Sequence, residues 1–344
     1  MSTPLFGKLF AQPVAIDPGT ASTRIYTHER GVVLNQPSVV CFRKGGASDA
    51  RPTLEAVGEL AKALLGREPG HLEAVRPMRH GVIADAHAAV QMIRRFIDMS
   101  RTRSRFSRRV EVTLCVPSDA TAVERRAIRE AAFAAGVSEV ELIEEALAAG
   151  LGAGLPVTEP VGSMVIDIGA GTTEVAVIAL GGIVYRESIR VGGNQFDAAI
   201  INYVRNVYGV LLGEQTAERV KNTIGSATRA VPRTSTRAIG RGIEDGLPRS
   251  IELSNHDVAD ALAAPLKQVI GAVKSVLENA PAELVTDIAH RGVVLTGGGA
   301  LLADLERLLR DETGLVARIA DDPATCAVRG AGEAMGRLAM CPVD

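Results

Sequence analysis

MVIDIGAGTTEVAVI, residues Met164 to Ile178, reads as an apolar strand, an aspartate, a short turn of glycine and threonine, and a second apolar strand. Glycine lets backbone N–H groups converge on an anion with no Cβ in the way, so such a turn cradles phosphate. The aspartate at the strand mouth is placed to hold a magnesium ion, directly or through water, and that ion neutralises the charge of a triphosphate. A single Asp-x-Gly turn is weak evidence, since both residues fill ordinary hairpin turns. The pattern occurs twice, however. In VAIDPGTASTRIY, Val14 to Tyr26, Asp17 takes the place of Asp167. Two such hairpins facing each other would clamp phosphates from both sides.

A third element strengthens the reading. VVLTGGGALLADLERLL, Val293 to Leu309, is an apolar strand, a triple-glycine loop and a stretch with helical apolar spacing at Leu301, Leu302, Leu305, Leu308 and Leu309. Three consecutive glycines leave room for a flat ring or a ribose to lie against backbone. Competing nucleotide motifs fit worse. No GxxxxGK[ST] occurs, and Gly7-Lys8 lacks both the leading glycine and the hydroxyl residue of a P-loop. GAGTTE from Gly169 has Glu174 where a dinucleotide fingerprint needs its third glycine, and a strand follows where that fold needs a helix.

Length and composition bound these readings. A chain of 344 residues suits two domains or one duplicated core with insertions. The formal net charge of −2 provides no whole-chain field for nucleic acid, which is not expected as a partner. Four cysteines without a CxxC pair, two of them (Cys41 and Cys115) in apolar runs, suit buried reduced thiols and a cytosolic chain. No apolar run approaches the roughly 18 to 20 residues of a spanning helix, and no signal-peptide core is apparent.

Strand-like runs fall at Val14 to Ile16, Ile25 to Tyr26, Val32 to Leu34, Val110 to Val116, Met164 to Ile168, Val175 to Leu180, Ile183 to Val191 and Val293 to Leu295. Helical patterns cover Ala86 to Met99, Ala120 to Ala135 with Ser118 and Asp119 as caps, Phe196 to Tyr208, Asp257 to Glu278 and Ala300 to Arg310. The pattern predicts an α/β fold of two related halves, 1–150 and 151–322, with 323–344 completing the first. The small-residue stretch Ala146 to Pro156 reads as the hinge, and Arg229 to Pro248 as an exposed subdomain edge.

In this order, the three elements resemble the phosphate 1, phosphate 2 and adenosine motifs of the superfamily of actins, sugar kinases and heat-shock-chaperone ATPases. LNQPSVV, RPMRHGVIAD, VERRAIREAA, LIEEALAAGLGAGLPV, RVGGNQFDAAIINYVRNVYG, TAERVKNTIGSA and DDPATCAVRGAGEA extend a closer similarity, to the rod-shape-determining bacterial actins, over nearly the whole chain. A chaperone would need a substrate-binding domain beyond this length. The resemblance implies an actin-like ATPase fold, each half with a smaller subdomain, around a nucleotide cleft that takes ATP (or GTP) with Mg2+. The residues implied for the nucleotide are Asp17, Gly19, Thr20, Ala21 and Ser22 of the first turn and Asp167, Gly169, Ala170, Gly171, Thr172 and Thr173 of the second. Gly297, Gly298, Gly299 and Ala300 belong to the adenosine motif. Asp17 and Asp167 are the metal residues. Glu145, the second acid of IEEA, matches the residue that orients or deprotonates the water attacking the γ-phosphate, with Thr172 as its helper. Glu218 and Lys221, with Arg219 between them, match ribose and adenine contacts; read alone, Glu218 and Lys221 form an ordinary helix-surface ion pair.

Three departures bear on turnover. Pro18 stands where the family usually has leucine and deletes one N–H, Ala170 replaces a glycine of the second turn, and Ala146 replaces the proline after the catalytic glutamate. The N-terminus places Leu5, Phe6, Leu9 and Phe10 on one helical face with Lys8 as its only charge, a short amphipathic element that suits a lipid interface when a filament presents many copies. Arg101, Arg103, Arg105, Arg108 and Arg109 around Phe106 form a second candidate for anionic headgroups. The expected protein is a weak ATPase that assembles with itself into filaments on the inner face of the cytoplasmic membrane. There it would meet membrane components of the cell-elongation machinery, organise cell-wall synthesis and maintain rod shape. A nucleotide-binding scaffold with little hydrolysis and a metabolite kinase of the same superfamily are the alternatives.

Overall fold

The computed structural model describes residues 11–45, 52–101 and 109–335, with Ala11 and Gln12 described by their backbone alone. The chain divides into two compact units, residues 1–155 with 325–344, and residues 156–324.

The first unit is built on β1 (Ala11–Pro18), β2 (Ser22–Thr27), β3 (Gly31–Pro37), β4 (Arg109–Val116) and β5 (Glu139–Glu144). Their order across the sheet is β3-β2-β1-β4-β5, antiparallel from β1 through β3 and parallel from β1 to β5. The second unit repeats this with β6 (Ser163–Ile168), β7 (Thr173–Ala179), β8 (Gly182–Ile189), β9 (Val293–Thr296) and β10 (Ala317–Ile319), in the order β8-β7-β6-β9-β10 and with the same directions. Val14, Ala15 and Ile16, like every residue of β6 and β7, are buried. A central strand covered on both faces reads as a continuous apolar run rather than an alternation, which explains the sequence pattern. Each unit has its own apolar core. Phe96, Met92 and Ile93 of the helix Ala86–Ser100 pack on the first sheet, and Phe196, Ile200 and Val204 of the helix Gly193–Tyr208 belong to the core of the second.

Each unit also carries a smaller sheet: Val40–Arg43 flanked by Thr53–Val57 and Leu72–Val75, and Ser235–Gly242 flanked by Val210–Leu211 and Pro248–Ser254. Ser235–Gly242 is thus the middle strand of its sheet, and the segment Arg229 to Pro248 around it is mostly exposed, as expected. One face of it does stay exposed: Ala238 is buried while its neighbour Ile239 is 62% exposed.

Two local expectations are corrected and one is refined. The helix Ala122–Ala134 is capped by Thr121, whose side chain accepts from the Glu124 amide while Glu124 reaches back to the Thr121 amide, a capping box that outcompetes Ser118 and Asp119. The division between the units falls at Leu155 and Pro156, the end of the stretch expected as the hinge, and most of that stretch is helix, Glu145–Gly152, packed so closely on the helix Cys326–Ala334 that a Cβ on Gly152 would strike the Cys326 carbonyl and one on Gly330 the Ala148 carbonyl. The helix expected at Ala300 to Arg310 is broken into a 3₁₀ turn, Gly298–Leu301, and an α-helix, Leu305–Thr313. Asp304 between them is left-handed (φ 61°), its carboxylate holding the Ser226 hydroxyl at 2.8 Å. Leu301 is consequently 63% exposed, while Leu302, Leu305 and Leu309 are buried.

Candidate functional site

The two acidic turns have one register. Asp17 pairs with Arg24 and Pro18 with Thr23, as Asp167 pairs with Glu174 and Ile168 with Thr173. In each turn two flanking backbone carbonyls are tied back by the protein's own donors. The Ser38 hydroxyl donates to Gly19 O (2.7 Å) and the Ser38 amide to Ala21 O (2.9 Å). The amides of Gly193 and Asn194 donate to Gly169 O (3.0 Å) and Ala170 O (2.8 Å). Carbonyl oxygens would repel an anion, so a turn whose carbonyls are consumed from behind suits a phosphate. Within the second turn the Gly169 amide donates to Thr172 O at 2.9 Å, which makes Ile168 and Thr173 a non-hydrogen-bonded pair. Pro18 occupies the matching place opposite Thr23, so its missing N–H takes nothing from the β1–β2 ladder.

Two hydroxyls expected at the nucleotide also brace the turns. Thr20 Oγ1 accepts the Gly81 amide at 2.8 Å, and Thr173 Oγ1 donates to Val191 O at 2.8 Å. Thr172 is buried at the head of its turn.

Both aspartates are 4% exposed, but their surroundings differ. Asp17 Oδ2 accepts from Arg24 Nη1 at 3.3 Å in an ion pair. Burial pushes the Asp17 carboxyl above the usual carboxylate range, and the Arg24 charge opposes that rise without cancelling it. Asp167 Oδ1 accepts from the Thr296 hydroxyl at 2.6 Å, and the residue opposite it, Glu174, is itself a buried acid.

Within the second unit the remaining elements gather around the Asp167 turn. A Cβ on Gly192 would lie 2.6 Å from Gly169 O, so the diglycine lets the helix Gly193–Tyr208 start directly against the turn. Lys221, on the helix Glu214–Ile224, donates to Gly193 O (3.0 Å) and pairs with Asp197 (2.8 Å), which sets an ammonium at that helix start. Burial raises the Asp197 carboxyl and the Lys221 charge counters it. Glu218 lies one turn before Lys221 and is half-buried; Arg219 is exposed and donates to Arg237 O. From the other side, Cβ atoms on Gly297 (φ 78°) or Gly299 would strike Ile168, whereas Gly298 has open space around it. Two of the three glycines therefore seat the loop against the strand end beside Asp167, and Gly298 is the one that faces outward. A Cβ on Gly225, which follows the Lys221 helix, would lie 3.0 Å from Leu302, and the Ala227 amide donates to Ala303 O at 2.8 Å.

In the first unit the acid pair is split by its surroundings. Glu144 ends β5 and receives Arg125 Nη2 at 3.0 Å, while Arg125 Nε holds the Ala120 carbonyl at 3.1 Å. Glu145 begins the next helix and is half-buried.

Asp197, Gly192, Gly193, Thr296 and Arg24 escape a motif reading. The doubled glycine of RVGGNQFD is a usable signal for the helix start, but pairing Arg24 with Asp17 requires the strand register. Among the described residues no cluster of three or more His, Cys, Asp or Glu forms a metal cage, so any Mg2+ here would draw most of its oxygen ligands from phosphate and water. A separate open groove of about 510 Å³ on the second unit, floored by Ala259, Leu266, Ile270 and Leu308, includes none of the turn residues. Leu5, Phe6, Lys8, Leu9, Phe10, Arg103, Arg105, Phe106 and Arg108 lie outside the described residues. Arg101 pairs with Asp98 at 3.9 Å, and Arg109 opens β4 rather than sitting in a loop. Cys41, Cys115 and Cys326 are buried free thiols. Among the described residues no helix is long and apolar enough to cross a membrane.

A duplicated five-stranded sheet of this order, with an acidic turn in each copy and a glycine-rich loop seated on the second, defines an actin-like ATPase fold. Two crystal structures of MreB5 from Spiroplasma citri, one bound to ADP and one to AMPPNP, share it with TM-scores of 0.88 and 0.89 at 34% identity. They cover 95% and 96% of this chain and 97% of their own. The cell shape-determining protein MreB of Escherichia coli K12 is 50% identical over 335 residues, 97% of this chain and 96% of that protein. The MreB/Mbl protein family model matches residues 11–342, and the chain belongs to that family of actin-like cell-shape determinants.

Proposed function

We propose that the chain binds ATP with Mg2+, hydrolyses it slowly, and assembles into filaments on the inner face of the cell membrane that organise wall synthesis and maintain rod shape. The observation that carries this reading is the contiguous network of the second unit. The Asp167 turn, the helix start at Gly193, Lys221 and the Gly297–Gly299 loop are linked residue to residue. A phosphate chain would meet the turn beside the helix start, where the Lys221 ammonium and the helix dipole favour negative charge. Gly298 leaves backbone open to a ring or a ribose. The Asp17 turn, with its Gly19 and Ala21 carbonyls likewise taken, would offer further phosphate contacts.

Asp167, buried at the strand end with the Thr296 hydroxyl on Oδ1, would hold a hydrated Mg2+. Such an ion would neutralise triphosphate charge. Glu144 pairs with Arg125, and Glu145, half-buried at the start of the next helix, is the acid assigned to orient an attacking water. The amphipathic Leu5–Phe10 segment would attach filaments to lipid, each copy weakly and the polymer firmly.

Sedimentation with and without ATP and anionic liposomes, with phosphate release followed in the same tubes, tests the reading. ATP-dependent pelleting, liposome recruitment, and phosphate release lost in Glu145→Ala are expected. Soluble monomer under every condition would overturn it. Pelleting without phosphate release, unchanged in Glu145→Ala, would establish a nucleotide-binding scaffold instead.

A further inference from the structure

We infer that Arg24 is a positioning residue that serves the first phosphate turn as a built-in counter-charge, so that nucleotide reaches this turn without a metal ion on Asp17. The inference rests on the nucleotide-binding reading above. Asp17 and Arg24 stand directly opposite in the β1–β2 register, which puts their side chains on one face of the hairpin. They form an ion pair at 3.3 Å with side chains only 6% and 16% exposed. A buried carboxylate in a turn that receives phosphate needs a compensating cation, because two like charges in a low-dielectric site repel strongly. At Asp17 that cation is covalently part of the strand. It also prevents Asp17 Oδ2 from approaching a divalent ion without displacing a guanidinium.

Arg24 is not saturated by this pair. Its Nε is buried and makes no hydrogen bond, an unmet donor beside a turn built to receive anions. A planar guanidinium suits both tasks, holding a carboxylate with one edge while lending positive charge to phosphate oxygens. The residue that faces Asp167 in the second turn is Glu174, so the two hairpins differ in the charge set across from their aspartates.

The test is equilibrium binding of a fluorescent ATP analogue to the full chain in Mg2+ and in EDTA, for the parent, Arg24→Leu and Arg24→Leu/Asp17→Asn. The quantity read is the ratio of the two dissociation constants, which a general loss of fold or affinity does not by itself change. Arg24→Leu is expected to enlarge the EDTA/Mg2+ ratio about tenfold, and removal of the Asp17 charge in the double variant to bring it back towards the parent. Arg24→Gln, which keeps reach and hydrogen bonding without charge, gives the same readout if Arg24→Leu does not fold. Equal ratios in the parent and the charge-removed variants would overturn the inference while leaving nucleotide binding intact. A parent that binds the analogue in neither buffer would overturn the nucleotide reading and the inference with it.

Discussion

Asp17 and Asp167 occupy the same place in two sheets of the same strand order, yet the residue across the hairpin is Arg24 in one and Glu174 in the other. Duplication of a sheet copies the register, and the register decides which side chains share a face. It does not copy charge. The first turn is neutralised from within and braced by neighbouring hydroxyls, those of Ser38 and Thr20. The second is acidic and is braced by close-packed glycines on either side, Gly192 on one and Gly297 with Gly299 on the other. The two copies therefore share a register and differ in charge and in bracing.

The largest effect should come from breaking the internal neutralisation. Arg24→Ala leaves a carboxylate buried without its partner, and a loss of about 3–5 kcal/mol is expected in urea or thermal unfolding. Thr296→Val removes a neutral donor from Asp167 and should cost less, about 1.5–3 kcal/mol. Equal losses at the two sites would mean that the charge difference between the turns has no energetic weight.

The glycines should separate support from binding. Gly297 sits at φ 78° and ψ 165°, a region that side-chain-bearing residues rarely enter, and its Cβ would strike the Ile168 carbonyl. Gly297→Ala is expected to cost about 2–4 kcal/mol of stability. Gly298→Ala meets nothing within 4 Å and should leave the unfolding midpoint nearly unchanged while weakening nucleotide binding. A stability loss at Gly298 matching that at Gly297, or full binding retained, would remove Gly298 from the site.

Much of this was legible in the chain because the central strands are buried on both faces and are bounded by glycine and aspartate. VAID, MVID and VVLT announce themselves by continuous apolar runs. β5 (EVELIE) and the three-residue β10 were missed, because the first interleaves acids with apolar residues and the second is too short to show a period. The helix break at Asp304 was invisible because its cause, the Ser226 hydroxyl on the Asp304 carboxylate, comes from a residue distant in sequence. Glu144 and Glu145 could not be told apart by composition; Arg125 of another helix separates them. The Asp17–Arg24 pair was present in DPGTASTR all along, but seven residues of separation mean nothing until the turn length fixes which residues face each other.

The smallest effect, and the one that most sharpens the contrast, is on the pH dependence of stability. Burial raises the folded-state pKa of Asp17 above its ordinary value of 3.8 despite the opposing Arg24 charge. The folded state then binds a proton more tightly than the unfolded chain, so this group's contribution is fully present below the ordinary value and is lost as pH rises through the raised one. Asp17→Asn should therefore be more stable than the parent at neutral pH, and the advantage should shrink to nothing as pH falls through the raised value towards 3.8. Paired unfolding curves for the two proteins across that window provide the measurement. A gain that persists unchanged into acid would show that Asn stabilises by packing rather than by removing a buried charge. A loss at neutral pH would show that the Arg24 pair more than offsets the burial of Asp17, which would leave the first turn charged for stability rather than for its ligand.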